Sequence, residues 1–230
     1  MKIGLIKTSL IDYPEHVAGV VFYSGCNLRC PYCHNPELVF GEPPRDNLDK
    51  KGLEDFLRKR ASVLDGMVIT GGEPTLQPSL QDLIDMIKFY DLDVKLDTNG
   101  LLPDVLKSLK GLDFVAMDVK TSIKGYGRLI PSSKTVFNEH DYRERLSNSI
   151  DYILHSGIRH QFRTTLVENI VKADDMPEIC AMIRGCDEYR LTRFRPGTTL
   201  IEGFSGNTSD SYVDSVIRIC ENEGIRVKLA

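Results

Sequence analysis

Apolar residues fall along the chain in two alternating kinds of run. Val17–Tyr23 is short, continuous and rich in β-branched side chains, the pattern of a strand buried on both faces. Met67–Thr70, Val94–Asp97, Phe114–Asp118, Arg159–Leu166 and Glu188–Thr192 repeat that character, and Ile225–Leu229 adds a further candidate. Between them the apolar positions space out to three, four and seven. Leu53, Phe56, Leu57 and Leu64 form one such stripe, and Leu80, Leu83, Ile84 and Ile87 a second. Leu146, Ile150, Ile153 and Leu154 form a third, and Val213, Ile217 and Cys220 a fourth. Each stripe lies on one face of a helix. Pro103 and Pro177 suit first-turn positions, and Gly157 and Gly224 suit helix ends. Strand and helix alternate, so the expected class is α/β with parallel strands and right-handed crossovers.

Length and charge narrow this picture. At 230 residues the chain is long enough for one α/β barrel or open α/β sheet with a proper core, and a single domain over 1–230 is expected. A net charge of −4 argues against a general binder of nucleic acid or of anionic membranes. No apolar run approaches the ~20 residues of a membrane span. With no secretory leader in the pattern, the expected compartment is the cytoplasm, and disulfides are not expected of the six cysteines.

Three of those cysteines change the picture most. Cys26, Cys30 and Cys33 are spaced C-x₃-C-x₂-C and are followed at once by His34 and Asn35. Four thiolates close a tetrahedral zinc or iron–sulfur site, while three leave one position for something that is not protein. A structural zinc site with His34 as fourth ligand is the plain alternative. Closed zinc sites pair two short ligand clusters, and no second C-x₂-C or H-x₃-H lies downstream. Cys26, Gly71, Asp97, Asp118 and Arg195 all fall at or just after predicted strand ends, the edge where α/β folds hold ligands.

The cysteine spacing resembles that of the radical S-adenosylmethionine (SAM) superfamily, and three further elements follow in the same order. They are Met67-Val-Ile-Thr70 with Gly71-Gly72-Glu73-Pro74, then Asp97-Thr98-Asn99-Gly100, then Asp118-Val119-Lys120. The resemblance implies a [4Fe–4S] cluster on Cys26, Cys30 and Cys33 that binds SAM through its open iron. It also implies an open partial (βα)6 TIM-like barrel, since six βα units are too few to close one of eight strands. Tyr32 is implied at the adenine through its backbone, Gly71, Gly72 and Glu73 at the SAM ammonium, and Arg163 at SAM. Asp97, Thr98 and Asp118 are implied as oxygen ligands of a monovalent cation beside the SAM carboxylate.

The residues admit plainer readings beside these. Tyr32 packs against the cluster loop; Gly71 and Gly72 make a turn, or else let backbone approach a ligand that a side chain would strike. Asp97 caps the next helix. Lys120, two residues past Asp118, shares its face, which suits an anionic group or a simple ion pair. Arg163, amid Phe162 and Leu166, is an expensive place for an unpaired charge, so a structural salt bridge is the alternative. His34 reads as a packing neighbour rather than a catalytic acid.

A narrower resemblance lies in Lys7–Pro14 and Cys33–Val39, which are similar to the activating proteins of anaerobic ribonucleoside-triphosphate reductase. Tyr32–Pro36 is also similar to pyruvate formate-lyase activating enzyme, and the likeness returns at Arg163 and at Arg193–Gly197. It implies a glycyl-radical-enzyme activase that cleaves SAM reductively and takes a hydrogen from a glycine Cα of a partner, with a low-potential donor such as flavodoxin or ferredoxin. A radical SAM enzyme acting on a nucleotide-like small molecule stays open, as does a non-catalytic iron–sulfur or zinc protein. Cys220 reads as core, and Cys180 and Cys186, about 240° apart on a helix, argue against an auxiliary cluster. The loop 24–36 is the expected cluster loop, and 121–140 is long enough for a lid or a partner-docking segment.

Overall fold

The computed structural model describes residues 2–42, 44, 47–129 and 138–230. Eight strands are present: β1 (Gly4–Ser9), β2 (Ala18–Tyr23), β3 (Gly66–Gly71), β4 (Asp93–Thr98), β5 (Phe114–Asp118), β6 (Arg159–Leu166), β7 (Tyr189–Arg193) and β8 (Val227–Leu229). They take the order β1-β2-β3-β4-β5-β6-β7-β8, so β1 and β8 are end strands and the order does not close. The helices are α1 (Pro36–Val39), α2 (Lys50–Arg60), α3 (Leu80–Phe89), α4 (Pro103–Ser108), α5 (Glu139–His155), α6 (Met176–Met182) and α7 (Asp210–Asn222). The α/β class expected from the hydrophobic pattern is borne out, and the sheet is open, as the resemblance implied. Among the described residues, no helix is long and apolar enough to cross a membrane.

The chain forms two compact units. The first comprises Met1–Asn27, Glu37–Thr98 and Asp104–Val115. In it β2, β3 and β4 pair in parallel, with Val20 opposite Val68 and Met67 opposite Val94. These strands are buried almost throughout, which is why they read as continuous apolar runs. Leu53, Phe56 and Leu57 of α2 and Leu80, Leu83, Ile84 and Ile87 of α3 are the buried faces the spacing predicts. Leu64 is also buried, but it lies beyond α2, after a 3₁₀ turn at Ala61–Val63.

Strand β1 was not visible in the hydrophobic pattern. It runs antiparallel to β2, with Ile6 opposite Val20, and its Ile6, Lys7 and Thr8 are exposed. Backbone pairing holds it rather than burial, so no alternation marks it.

The second unit comprises Leu28–Pro36, Asn99–Pro103 and Ala116–Ala230. Here β6, β7 and β8 pair in parallel, with Arg163 opposite Arg190 and Leu191 opposite Leu229. Helix α5 opens with a capping box between Asn138 and Asp141 and buries Tyr142, Leu146, Ile150 and Ile153, leaving Leu154 half-exposed. Ser209 caps α7, whose buried face is Val213, Val216 and Cys220; Val216 takes the place expected of Ile217. Of the segment read as a lid, Ile123–Arg128 is a 3₁₀ helix that buries Ile123 and Tyr126, and Thr121 and Ser122 before it are buried too. Most of that stretch is buried, while Lys124 and Gly127 are exposed. The part of the expectation that falls on 130–137 lies outside the described residues.

Candidate functional site

In the first unit, the exits of β2 and β3 are laced together by their backbones. Gly72 N–H donates to Tyr23 O at 2.8 Å, and Glu73 N–H to Gly25 O at 2.8 Å. A Cβ on Gly71 would stand 2.1 Å from Tyr23 O, and one on Gly72 would stand 2.2 Å from Gly25 O. Gly71 also has φ +122°, a region side chains avoid. The chain's own close approach therefore requires glycine at both positions. The same lacing sets the start of the cysteine loop. Gly25 N–H donates to Leu38 O, and Cys26 N–H to Val39 O at 3.2 Å.

Glu73 is 1% exposed and caps a 3₁₀ turn at Pro74–Leu76. Its Oε1 accepts from Thr75 N–H at 3.1 Å, Thr75 Oγ1 at 2.6 Å and Thr98 Oγ1 at 2.7 Å. These bonds bring Glu73 and Thr98 together at the C-terminal ends of β3 and β4. Asp97 is ion-paired with Lys95, two residues earlier on β4. Sequence reading missed Lys95, which sits inside an otherwise apolar run and is 1% exposed.

In the second unit, Asp118 ends β5 and is shared by two cations. Arg163 Nε donates to its Oδ1 at 2.7 Å, and Lys120 Nζ to its Oδ2 at 2.6 Å. Burial opposes ionisation of Asp118, but the Arg163 guanidinium and the Lys120 ammonium prevail and hold its carboxyl well below the usual range. Burial likewise disfavours charge on Lys120. Asp118 outweighs that, with Tyr32 and Cys30 adding to it, so its ammonium is held well above the ordinary value. The face shared by Asp118 and Lys120 is thus an ion pair, and Arg163 makes a salt bridge to the same carboxylate.

Tyr32 lies against this group. Burial and the Cys30 thiol push its hydroxyl far up, and Lys120 pulls the other way. That hydroxyl is buried with no hydrogen-bond partner among the described residues. An unpaired buried hydroxyl is costly and marks a place where a bound group would supply the partner. Tyr126, also missed from the sequence, accepts from Lys120 N–H at 3.2 Å and fixes the start of the turn after β5.

Cys33 N–H donates to Cys30 O at 3.0 Å, a tight turn around Tyr32. His34 stacks on Phe194 with centroids 5.4 Å apart, and its Nδ1 lies 3.1 Å from Thr198 O. It is a packing neighbour, as expected. Among the described residues, no group of three or more His, Cys, Asp and Glu side chains is placed to hold a metal ion. What fits an iron–sulfur cluster is the donor chemistry. Cys26, Cys30 and Cys33, none of them in a disulfide, are carried on a stretch without helix or strand. Of the remaining cysteines, Cys180 and Cys220 are buried and hydrogen-bonded to each other, and burial pushes the Cys186 thiol up to about 11.

The family model described as the Radical SAM superfamily matches residues 20–176. A "putative glycyl-radical enzyme activating enzyme" of Methanocaldococcus jannaschii is 29% identical over 232 residues, covering 93% of each chain. A GTP 3',8-cyclase of Campylobacter jejuni subsp. doylei is 31% identical over 63% of this chain and 45% of its own. Among solved structures, a radical SAM methyltransferase from Sphaerobacter thermophilus superposes with a TM-score of 0.66 at 16% identity. It covers 99% of this chain and 76% of its own, a likeness of fold.

Proposed function

Because the chain belongs to the radical SAM superfamily, and is thereby a radical SAM enzyme using SAM and a [4Fe–4S] cluster, we propose that it activates a glycyl-radical enzyme. The observation that carries this reading is the extent of one likeness: 93% of both chains is shared with the M. jannaschii protein of that name. When bound, the cluster supplies one electron for the cleavage of SAM to methionine and a 5'-deoxyadenosyl radical, which takes hydrogen from a glycine Cα of the partner.

The chain's own residues have three tasks in this reading. Cys26, Cys30 and Cys33 hold the cluster as thiolates. Lys120 and Arg163, both paired with Asp118, set an ammonium and a guanidinium on one carboxylate, donors that suit the SAM carboxylate. Glu73, with Thr75 and Thr98 fixing one of its oxygens, presents a carboxylate for the SAM ammonium, and Tyr32 supplies the buried hydroxyl that lacks a partner. A glycine target suits the chemistry, since a loop without a side chain can bring its Cα within reach of the radical while water is excluded. The partner proposed is anaerobic ribonucleoside-triphosphate reductase, on the strength of Lys7–Pro14 and Cys33–Val39. The setting proposed is the cytoplasm, with flavodoxin or ferredoxin as electron donor.

The test is anaerobic. The reconstituted, reduced enzyme is mixed with SAM and the reductase of the same organism, and the EPR spectrum is recorded. A glycyl doublet that is absent in Cys30→Ala is the expected result. The likeness to the GTP 3',8-cyclase supports a second reading, a nucleotide-like small substrate. Deoxyadenosine release that depends on a nucleotide, with no glycyl signal, would establish it in place of the first.

A further inference from the structure

Lys95 is a charged residue inside a strand whose neighbours are apolar. Val94 and Leu96 flank it, both 0% exposed, and Val68 of β3 lies beside it in register. Its side chain is 2% exposed, against 15% for Asp97, to which its ammonium donates at Oδ1. The two residues are separated by one position, so both leave β4 on one face. The next residue, Thr98, donates to Glu73. The end of β4 and the turn after β3 are thus one hydrogen-bonded assembly, and Lys95 stands at its root.

Taking an ammonium out of water is costly, and replacing a buried ion pair as a whole by well-packed apolar side chains is often neutral or stabilising. A lysine kept there acts on the carboxylate it touches. It fixes the Asp97 side chain and neutralises it from within the sheet. A free cation ligated by that carboxylate would then meet a positive charge a few ångströms away, in surroundings where such repulsion is poorly screened.

We propose that Lys95 is a tethered counter-cation: it positions Asp97 and fills the role of the monovalent cation expected there, so this chain uses SAM without alkali metal. The proposal rests on the SAM reading above and adds a positioning residue to it. It also predicts that the device is separable, because deleting the ammonium while keeping the carboxylate opens a place that sodium or potassium can enter.

The experiment compares salts at matched ionic strength. Deoxyadenosine formation by the reconstituted enzyme is measured in tetramethylammonium chloride and in potassium or sodium chloride. The wild-type rate is expected to change by less than about twofold. Lys95→Ala is expected to lose at least about fivefold in tetramethylammonium, the low end of coupling between two sites, and to regain activity when potassium or sodium is added. In parallel, thermal unfolding of the cluster-free chain should be insensitive to the cation for wild type, and should rise with potassium over tetramethylammonium for Lys95→Ala. A wild-type enzyme that needs alkali metal overturns the proposal, whatever the variant does. A loss in Lys95→Ala that neither ion restores makes Lys95 merely structural and overturns it too. If no deoxyadenosine forms under any condition, the SAM reading fails, while the unfolding measurements still decide whether Lys95 excludes a cation.

Discussion

Lys95 and Asp97 on β4, and Asp118 and Lys120 at the end of β5, are the same spacing written in opposite directions, one in each compact unit. The first pair is nearly sealed, with side chains 2% and 15% exposed. The second is more open, at 18% and 24%, and its carboxylate is claimed by Arg163 as well. A carboxylate shared by two cations is held ionised by both. Spacing in sequence made both pairs; the arrival of Arg163 from β6 gave the second a different chemistry.

Breaking the sealed pair should have the largest effect. Lys95→Met keeps the bulk but removes the ammonium, and should cost about 3–5 kcal/mol, the usual result of stripping one partner from a buried pair. Denaturant unfolding of the cluster-free chain measures this, and Lys95→Met combined with Asp97→Asn should recover most of the loss. A single variant costing under about 1 kcal/mol would show that the two do not act as a unit.

Asp118→Asn attacks the open group. It leaves Lys120 and Arg163 with no carboxylate between them, and should cost about 1–3 kcal/mol, less than the sealed pair because solvent screens part of the charge. The same denaturant measurement checks the ranking. Reversal of the two values would mean that exposure does not govern the difference.

Acid should separate wild type from Asp118→Asn by a smaller margin. The Asp118 carboxyl is held down, after its burial cost, by Arg163 and then Lys120, so its contribution is complete above the ordinary carboxylate range. It is lost as pH falls towards the depressed folded value. The stability gap between wild type and Asp118→Asn should therefore hold from neutrality to about pH 4 and narrow below it. A gap that closes between pH 7 and 5 would point to another group. Lys120 runs the opposite way: with its value raised, its contribution is full at neutral pH and fades only in strong alkali.

The smallest effect concerns the hydroxyl beside the open group. Tyr32→Phe removes a buried O–H that lacks a partner, so the cluster-free chain should be unchanged or gain up to about 1 kcal/mol. A loss of that size instead would show that the hydroxyl is already bonded.

Much of the layout was legible beforehand. The runs that became β2 to β8 and the stripes of α2, α3, α5 and α7 all announced themselves by period, because burial on one or both faces writes itself into local spacing. Strand β1 left no such trace, since Ile6, Lys7 and Thr8 bury little and the strand is held through its backbone. Glu73, Asp97, Thr98, Asp118, Lys120 and Arg163 could be picked out as residues. Their partners could not: a lysine amid valine and leucine looks like noise in an apolar run, and Thr75 looks like any turn residue.

The sequence by itself determined where strands and helices lie, that three thiols share one short loop, and which superfamily the chain belongs to, since periodicity and motif spacing are properties of neighbouring residues. Only the tertiary structure decided which distant groups meet. Strand β6 brought Arg163 to Asp118, and the lacing of β2 with β3 left no room for side chains at Gly71 and Gly72. An ion pair or a close backbone approach depends on a few ångströms between segments far apart in the chain, and no local period encodes that distance.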